Sequence, residues 1–176
     1  GDEQLHLINK FISEGGSAVY FLDGDFDAEN LRALQKVLPV ELPFQIGLKQ
    51  TSKNIPGGRI KIRSGHFESK YLGLFRGEAR KRLGNLDFYE YYQARPGSNG
   101  RILLSYSEGT PAMASCSIGL GQLLLCNFSI EESASNLAAQ KIFPAWIQEI
   151  AANMARESRQ LESFEVEDKL QKEVWL

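Results

Sequence analysis

Hydrophobic positions along the chain follow two periods, and the switches between them outline its elements. Leu5, Leu7, Ile8, Phe11 and Ile12 recur at helical spacing and stop at Gly15-Gly16, a glycine end for a helix. Ala18-Val19-Tyr20-Phe21-Leu22 is then an unbroken apolar run, as in a strand covered on both faces. Leu31, Leu34 and Leu38 resume the helical period until Pro39 ends it. Asp27 is the expected cap of this second helix, with Phe26 placed to staple against Leu31. Helix, buried strand and helix in succession predict a layered α/β domain.

Between residues 39 and 85 the pattern weakens, which predicts an insertion or loop-rich edge. Short alternating runs at 44–48 and 59–63 are parted by Asn54, Pro56, Gly57 and Gly58. Four strand candidates follow at 86–93, 101–106, 112–118 and 122–128, divided by Pro96-Gly97, Glu108-Gly109 and Gly119/Gly121. The expected arrangement puts 18–22 inside the sheet and the 109–128 segment at the sheet's other end, as a hairpin. Ile142, Phe143, Trp146, Ile147, Ile150, Ala151 and Met154 mark a long amphipathic helix, with Pro144 in its first turn. Residues 1–156 therefore read as the domain, and 157–176 as a charged linker or terminal helix.

Composition narrows the function classes. A length of 176 residues suits one domain, and a net charge of -2 argues against a general nucleic-acid binder. Arg76, Arg80, Lys81 and Arg82 form a local basic cluster, read as a solvated face. No apolar run approaches the roughly 20 residues needed to span a bilayer, and no signal peptide is visible. The chain begins at Gly1 and closes on Val174-Trp175-Leu176 after a charged stretch, the pattern expected of a piece of a longer protein.

The reactive residues are few. Cys116 and Cys126 are the only cysteines. With a turn centred on Leu120, Cys116 would face Leu124 and Cys126 would face Ala114, an offset that predicts free thiols. A nucleophilic Cys116 would need a strained elbow flanked by small residues and a base. Ala114 and Ile118 occupy the places of elbow glycines, and only His6 and His66 could serve as base. Asp23-Gly24-Asp25-Phe26-Asp27 opens like a calcium loop, but Ala28 and Leu34 stand at that loop's sixth and twelfth positions. These carboxylates then follow a strand end and favour a helix N-terminus, or else rim a small-ligand crevice. Gly119-Leu120-Gly121 lacks dinucleotide-binding spacing. Phe88-Tyr89-Glu90-Tyr91-Tyr92 is expected to pack on both faces of a strand. No catalytic, cofactor or metal residue is assigned.

The order of segments resembles the glutamine-amidotransferase-like domain of large bacterial membrane proteins. Those carry an N-terminal double-transmembrane region and often a von Willebrand factor A domain, as in the aerotolerance (Bat-type) group. The resemblance rests on residues 7–16 running into Val19-Tyr20-Phe21-Leu22, on Leu38-Pro39-Val40 and on Ser107-Glu108-Gly109-Thr110-Pro111-Ala112. It continues through residues 119–125 and Phe143-Pro144-Ala145-Trp146-Ile147. Where that family carries a Trp-containing loop after the last strand, this chain has Glu131-Glu132-Ser133-Ala134-Ser135-Asn136. The resemblance implies a three-layer flavodoxin-like, class I glutamine amidotransferase-like sheet with a C-terminal antiparallel hairpin, lacking the nucleophile and beginning after the family's first strand. It also implies a non-catalytic scaffold domain of a protein anchored in the bacterial inner membrane, facing the extracytoplasmic side. Protein partners within a membrane-associated complex would follow, and the isolated fragment would be prone to form a homodimer through an uncovered edge or its 162–176 tail. An enzyme using Cys116 and a sugar or small-ligand sensor using Asp23 to Asp27 are the alternatives.

Overall fold

The computed structural model describes residues 2–174, with side chains described for residues 3–158. In chain order the elements are α1 (Asp2–Ser13), β1 (Ser17–Phe21), α2 (Asp27–Val37), β2 (Phe44–Thr51) and β3 (Ile62–Gly65). There follow β4 (Glu90–Pro96), β5 (Arg101–Tyr106), β6 (Pro111–Ile118), β7 (Gly121–Cys126) and α3 (Phe143–Val174). Two 3₁₀ segments, Lys70–Phe75 and Gly77–Asn85, lie between β3 and β4.

The sheet corrects the expected fold class. It is mixed, five strands in the order β1-β7-β6-β5-β3, and only β1 and β7 run parallel. A separate two-stranded antiparallel ribbon joins β2 to β4. This is not a flavodoxin-like or class I glutamine amidotransferase-like parallel sheet. The physical reason lies in the connections. After α2 the chain enters the ribbon and not the main sheet, so β1 and α2 do not complete a βαβ unit. Short turns then join β5 to β6 and β6 to β7, which makes those pairs antiparallel.

β1 is a strand, as its apolar run indicates, but it forms the edge of the sheet and not the interior. An all-apolar strand reports that both faces are covered, which differs from having both edges paired. The 109–128 hairpin forms too, yet it sits beside β1 and not at the far end. Its turn is the two-residue Gly119-Leu120, with Gly119 at φ 58° and Ile118 opposite Gly121. Cys116 therefore pairs with Leu123 and Cys126 with Met113, one residue from the expected register. A one-residue slip reverses a face. Cys116 packs with Ala114 and Ile118 on one side of the sheet, and Cys126 with Met113 and Leu124 on the other.

The two faces have separate cores. Ile12, Leu31, Leu34, Phe44 and Tyr92 bring α1, α2 and the ribbon onto one face. Tyr71, Leu72, Phe75, Trp146 and Ile150 bring the first 3₁₀ segment and α3 onto the other. Trp146 meets Phe75 edge-on at 5.2 Å, and its indole N–H donates to the Tyr71 carbonyl at 2.8 Å. The weakly patterned 39–85 stretch thus supplies core residues, because a short 3₁₀ turn carries no helical repeat to recognise.

Two local expectations also change. Phe26, not Asp27, occupies the N-cap of α2, and its ring is 71% exposed, so no staple forms. Past Ser158, α3 continues as backbone helix to Val174. The apolar residues of the 162–176 tail through which self-association is expected, Phe164, Val166, Leu170, Val174 and Trp175, lie outside the described side chains.

Candidate functional site

The edge of β1 joins an open hydrogen-bonding ladder to an apolar stripe. In a parallel pair, the N–H and C=O of one residue point the same way, and successive residues alternate. Gly16 C=O accepts from Gln122 and Leu22 N–H donates to Cys126, so the even-numbered residues face β7. Ser17, Val19 and Phe21 therefore turn their N–H and C=O groups outward, where no described strand meets them. All five β1 residues are half-buried. The helix that precedes β1 in the chain, α1, exposes Leu7, Ile8 and Phe11 at 61%, 43% and 57%. The Phe11 ring lies over Gly16 at the entry to β1, where an added Cβ would come within 2.5 Å of it.

At the carboxyl end of β1 the acidic residues gather, each with a partner. Asp27 is buried and accepts from the Tyr20 hydroxyl at 2.8 Å and the Gly24 amide at 2.6 Å. Burial, then the Asp27 hydrogen bond and charge, push the Tyr20 phenol up to about 12. The Tyr92 hydroxyl donates to the Gly24 carbonyl at 2.9 Å. Lys49 bridges Glu90 at 2.9 Å and Asp25 at 3.2 Å. Its burial disfavours the charge, but those two carboxylates outweigh it and leave the ammonium's pKa raised. Asp23 accepts from the Ser129 hydroxyl. Burial, together with repulsion from Glu131 and Asp27, raises its carboxyl above the usual range. Asp23, Lys49, Glu90 and Ser129 enclose a cavity of about 10 Å³, roughly one water's worth of space.

The remaining candidates fall elsewhere. Cys116 is 2% exposed in the middle of β6, and burial pushes its thiol up to about 11. His66 is exposed and lies 3.2 Å from Arg101. The cavity His66 lines includes Ser115, whose side chain leaves β6 on the face opposite Cys116, so the sheet separates the two. The Arg76 guanidinium binds the carbonyls of Phe67, Glu68 and Ser69, and Arg80 stacks on Phe67 at 4.1 Å. In the aromatic string, Phe88 and Tyr91 pack on the α3 face and Tyr92 on the other, after the strand is interrupted at Tyr89. No cluster of three or more His, Cys, Asp or Glu among the described residues is placed to hold a metal ion. No helix of the described residues is long and apolar enough to cross a membrane.

Asn127, a residue without any motif around it, joins the two sheets. Fully buried, it accepts from the Tyr92 amide at 2.9 Å and donates to the carbonyls of Tyr92 at 2.7 Å and Pro111 at 2.8 Å. One side chain thereby holds the β2–β4 ribbon against the main sheet. Only its place just past a buried strand hinted at a polar residue with a structural duty.

No family model matches the chain, and no curated protein sequence matches it. Solved structures do share its fold. Cytoplasmic Protein STM1381 from Salmonella typhimurium LT2 superposes with a TM-score of 0.61 at 14% identity, over 86% of this chain and 60% of its own. Cytoplasmic Protein STM3548 from Salmonella typhimurium gives 0.55 at 13%, over 83% and 58%. A beta-galactosidase from Bacillus circulans sp. alkalophilus gives 0.51 at 16%, over 87% of this chain and 20% of that enzyme. The chain thus spans about 60% of the length of the first of these. At such identities the likeness concerns the fold alone.

Proposed function

We propose that this chain is a non-catalytic interaction domain that assembles through the free edge of β1. Its setting is a larger, membrane-anchored bacterial envelope protein, with the domain on the extracytoplasmic side and protein partners around it. The observation that carries the reading is the open ladder of Ser17, Val19 and Phe21, with the Phe11 ring at its entry and Leu7 and Ile8 exposed on the preceding helix. Unpaired strand edges pair with other strands unless something blunts them, and this one has no charged side chain or proline on it. The partner available to the isolated chain is a second copy. A two-fold axis at Val19 would pair the two β1 strands antiparallel and continue both sheets as one. The setting rests on the resemblance of the segments alone, since the sheet departs from that domain's fold, and the burial of Cys116 in the middle of β6 supports a non-catalytic role.

Sedimentation velocity across a concentration series tests this. Val19→Pro removes an outward N–H without touching the β7 ladder, a substitution edge strands tolerate. The unaltered chain is expected to dimerise and Val19→Pro to remain monomeric at the same helicity. A chain that is monomeric throughout, or a dimer unmoved by Val19→Pro and Phe11→Glu together, would contradict the proposal.

A further inference from the structure

A second strand edge lies open at the ribbon. Gly97 N–H donates to the Pro43 carbonyl, which makes 43 and 97 a hydrogen-bonded pair across the ribbon. By alternation Gln45 faces β4, while Phe44 and Ile46 turn their N–H and C=O groups away from it. Along that side runs a groove of about 480 Å³ between β2 and α2. Phe44, Gln45 and Ile46 line it in succession. Side chains alternate between the faces of a strand, so a groove touching three neighbours in a row follows its edge. The opposite wall is one face of α2, from Ala28 and Leu31 to Lys36.

The wall's charge is one-sided. Arg32 and Lys36 stand one turn apart at the rim, both exposed, and neither makes an ion pair with any described residue. Glu41 also reaches the rim and keeps its negative charge, so the lining carries one net positive charge, but the Glu41 oxygens are engaged. One accepts from Gln45 at 2.6 Å, and the other from the Ser98 amide at 2.9 Å and the Ser98 hydroxyl. Gln35 is spent on the Val40 carbonyl and the Leu42 amide, at 2.9 and 2.7 Å, fixing the chain as it enters β2. The two cations are left facing an apolar floor beside unpaired backbone groups.

We infer that this groove binds a short extended peptide bearing acidic side chains, which adds as a strand to the outer edge of β2. The nine residues from Ala28 to Lys36 rise about 12 Å along the helix, the length of about four residues of strand. A bound strand of that size places alternate side chains on the floor formed by Leu31, Leu42, Phe44 and Ile46. The intervening carboxylates reach Arg32 and Lys36. Main-chain bonds to Phe44 and Ile46 supply affinity, and the cations supply the choice of sequence. This site involves other elements than β1 and stands or falls separately.

The test is fluorescence anisotropy with a labelled peptide, Gly-Glu-Val-Glu-Val-Glu-Gly, against its lysine counterpart and a single-stranded oligonucleotide of equal charge. The acidic peptide is expected to bind, and both controls to bind at least tenfold more weakly. Arg32→Glu with Lys36→Glu, on the exposed rim, is expected to weaken binding at least tenfold. Ile46→Pro, which removes an outward N–H, should do the same, whereas Ile46→Val should stay within about twofold. No binding of the acidic peptide, equal binding of the oligonucleotide, or indifference to the paired charge reversal would overturn the inference.

Discussion

The Asn127 carboxamide both accepts from and donates to the backbone of Tyr92, at 2.9 and 2.7 Å. This paired contact is the same kind of exchange that two strands make, here performed by a side chain. It ties a ribbon with no ladder to the main sheet onto that sheet. Asn127→Ala would leave the Tyr92 amide and two carbonyls unpaired in a dry interior, at a cost of about 2–4 kcal/mol. Urea unfolding checks this, and a loss below about 1 kcal/mol would show the ribbon to be held mainly by its apolar packing.

The two cysteines should behave as buried thiols on opposite faces. Neither should react quickly with a thiol reagent at pH 8, and both should react once the chain is unfolded without reductant. Fast native-state labelling of Cys116 would contradict its 2% exposure.

Stability should fall on the alkaline side. Burial raises the Cys116 thiol from 9.0 to about 11, raises Cys126 further, and lifts the Tyr106 phenol well above its ordinary 10.0. The folded chain then holds protons that the unfolded chain releases, so the contribution is complete below about pH 9 and drains away as pH rises toward 11. Unfolding midpoints at pH 8, 9 and 10.5 are expected to be level and then drop. A midpoint that rises over this range would refute the assignment of these groups as buried and uncharged.

Two glycines offer a matched contrast. A Cβ on Gly121 would lie 2.1 Å from the carbonyl oxygens of both Gly16 and Ile12, whereas one on Gly84 meets nothing within 4 Å. Gly121→Ala should cost about 2 kcal/mol or more, because backbone and not a flexible side chain must move. Gly84→Ala should be neutral or stabilising by up to about 1 kcal/mol. Equal effects on the thermal midpoint would show that α1 does not press on β7 as closely as described.

Much of the element list is legible in the residues, and the way the elements combine is not. Ala18-Val19-Tyr20-Phe21 announces a strand, Gly119-Leu120-Gly121 a hairpin, and Ile142 to Met154 a helix, since each depends on local period and turn chemistry. Sheet order depends on where a crossover lands. Nothing between Leu38 and Phe44 says that the chain leaves the main sheet for a ribbon. Face burial and edge pairing also leave the same apolar signature, so β1 reads as interior when it is an edge. A single residue in a turn decided the face of Cys126. The site itself was partly visible: an uncovered edge beside 18–22 was expected for the isolated fragment, but Phe11 read only as part of a helical stripe, and the α2–β2 groove rests on Arg32 and Lys36 making no ion pair among the described residues, a matter of tertiary placement.

Residue-resolved amide exchange by NMR tests the central claim most directly, because it reads the β1 ladder one group at a time. The Tyr20 amide faces β7 and the Val19 amide faces outward. If the domain assembles through this edge, Val19 exchange slows as protein concentration rises, while Tyr20 stays protected throughout. If Val19 exchanges at the rate of an open chain at every concentration, up to that of the NMR sample, the edge is not the assembly surface.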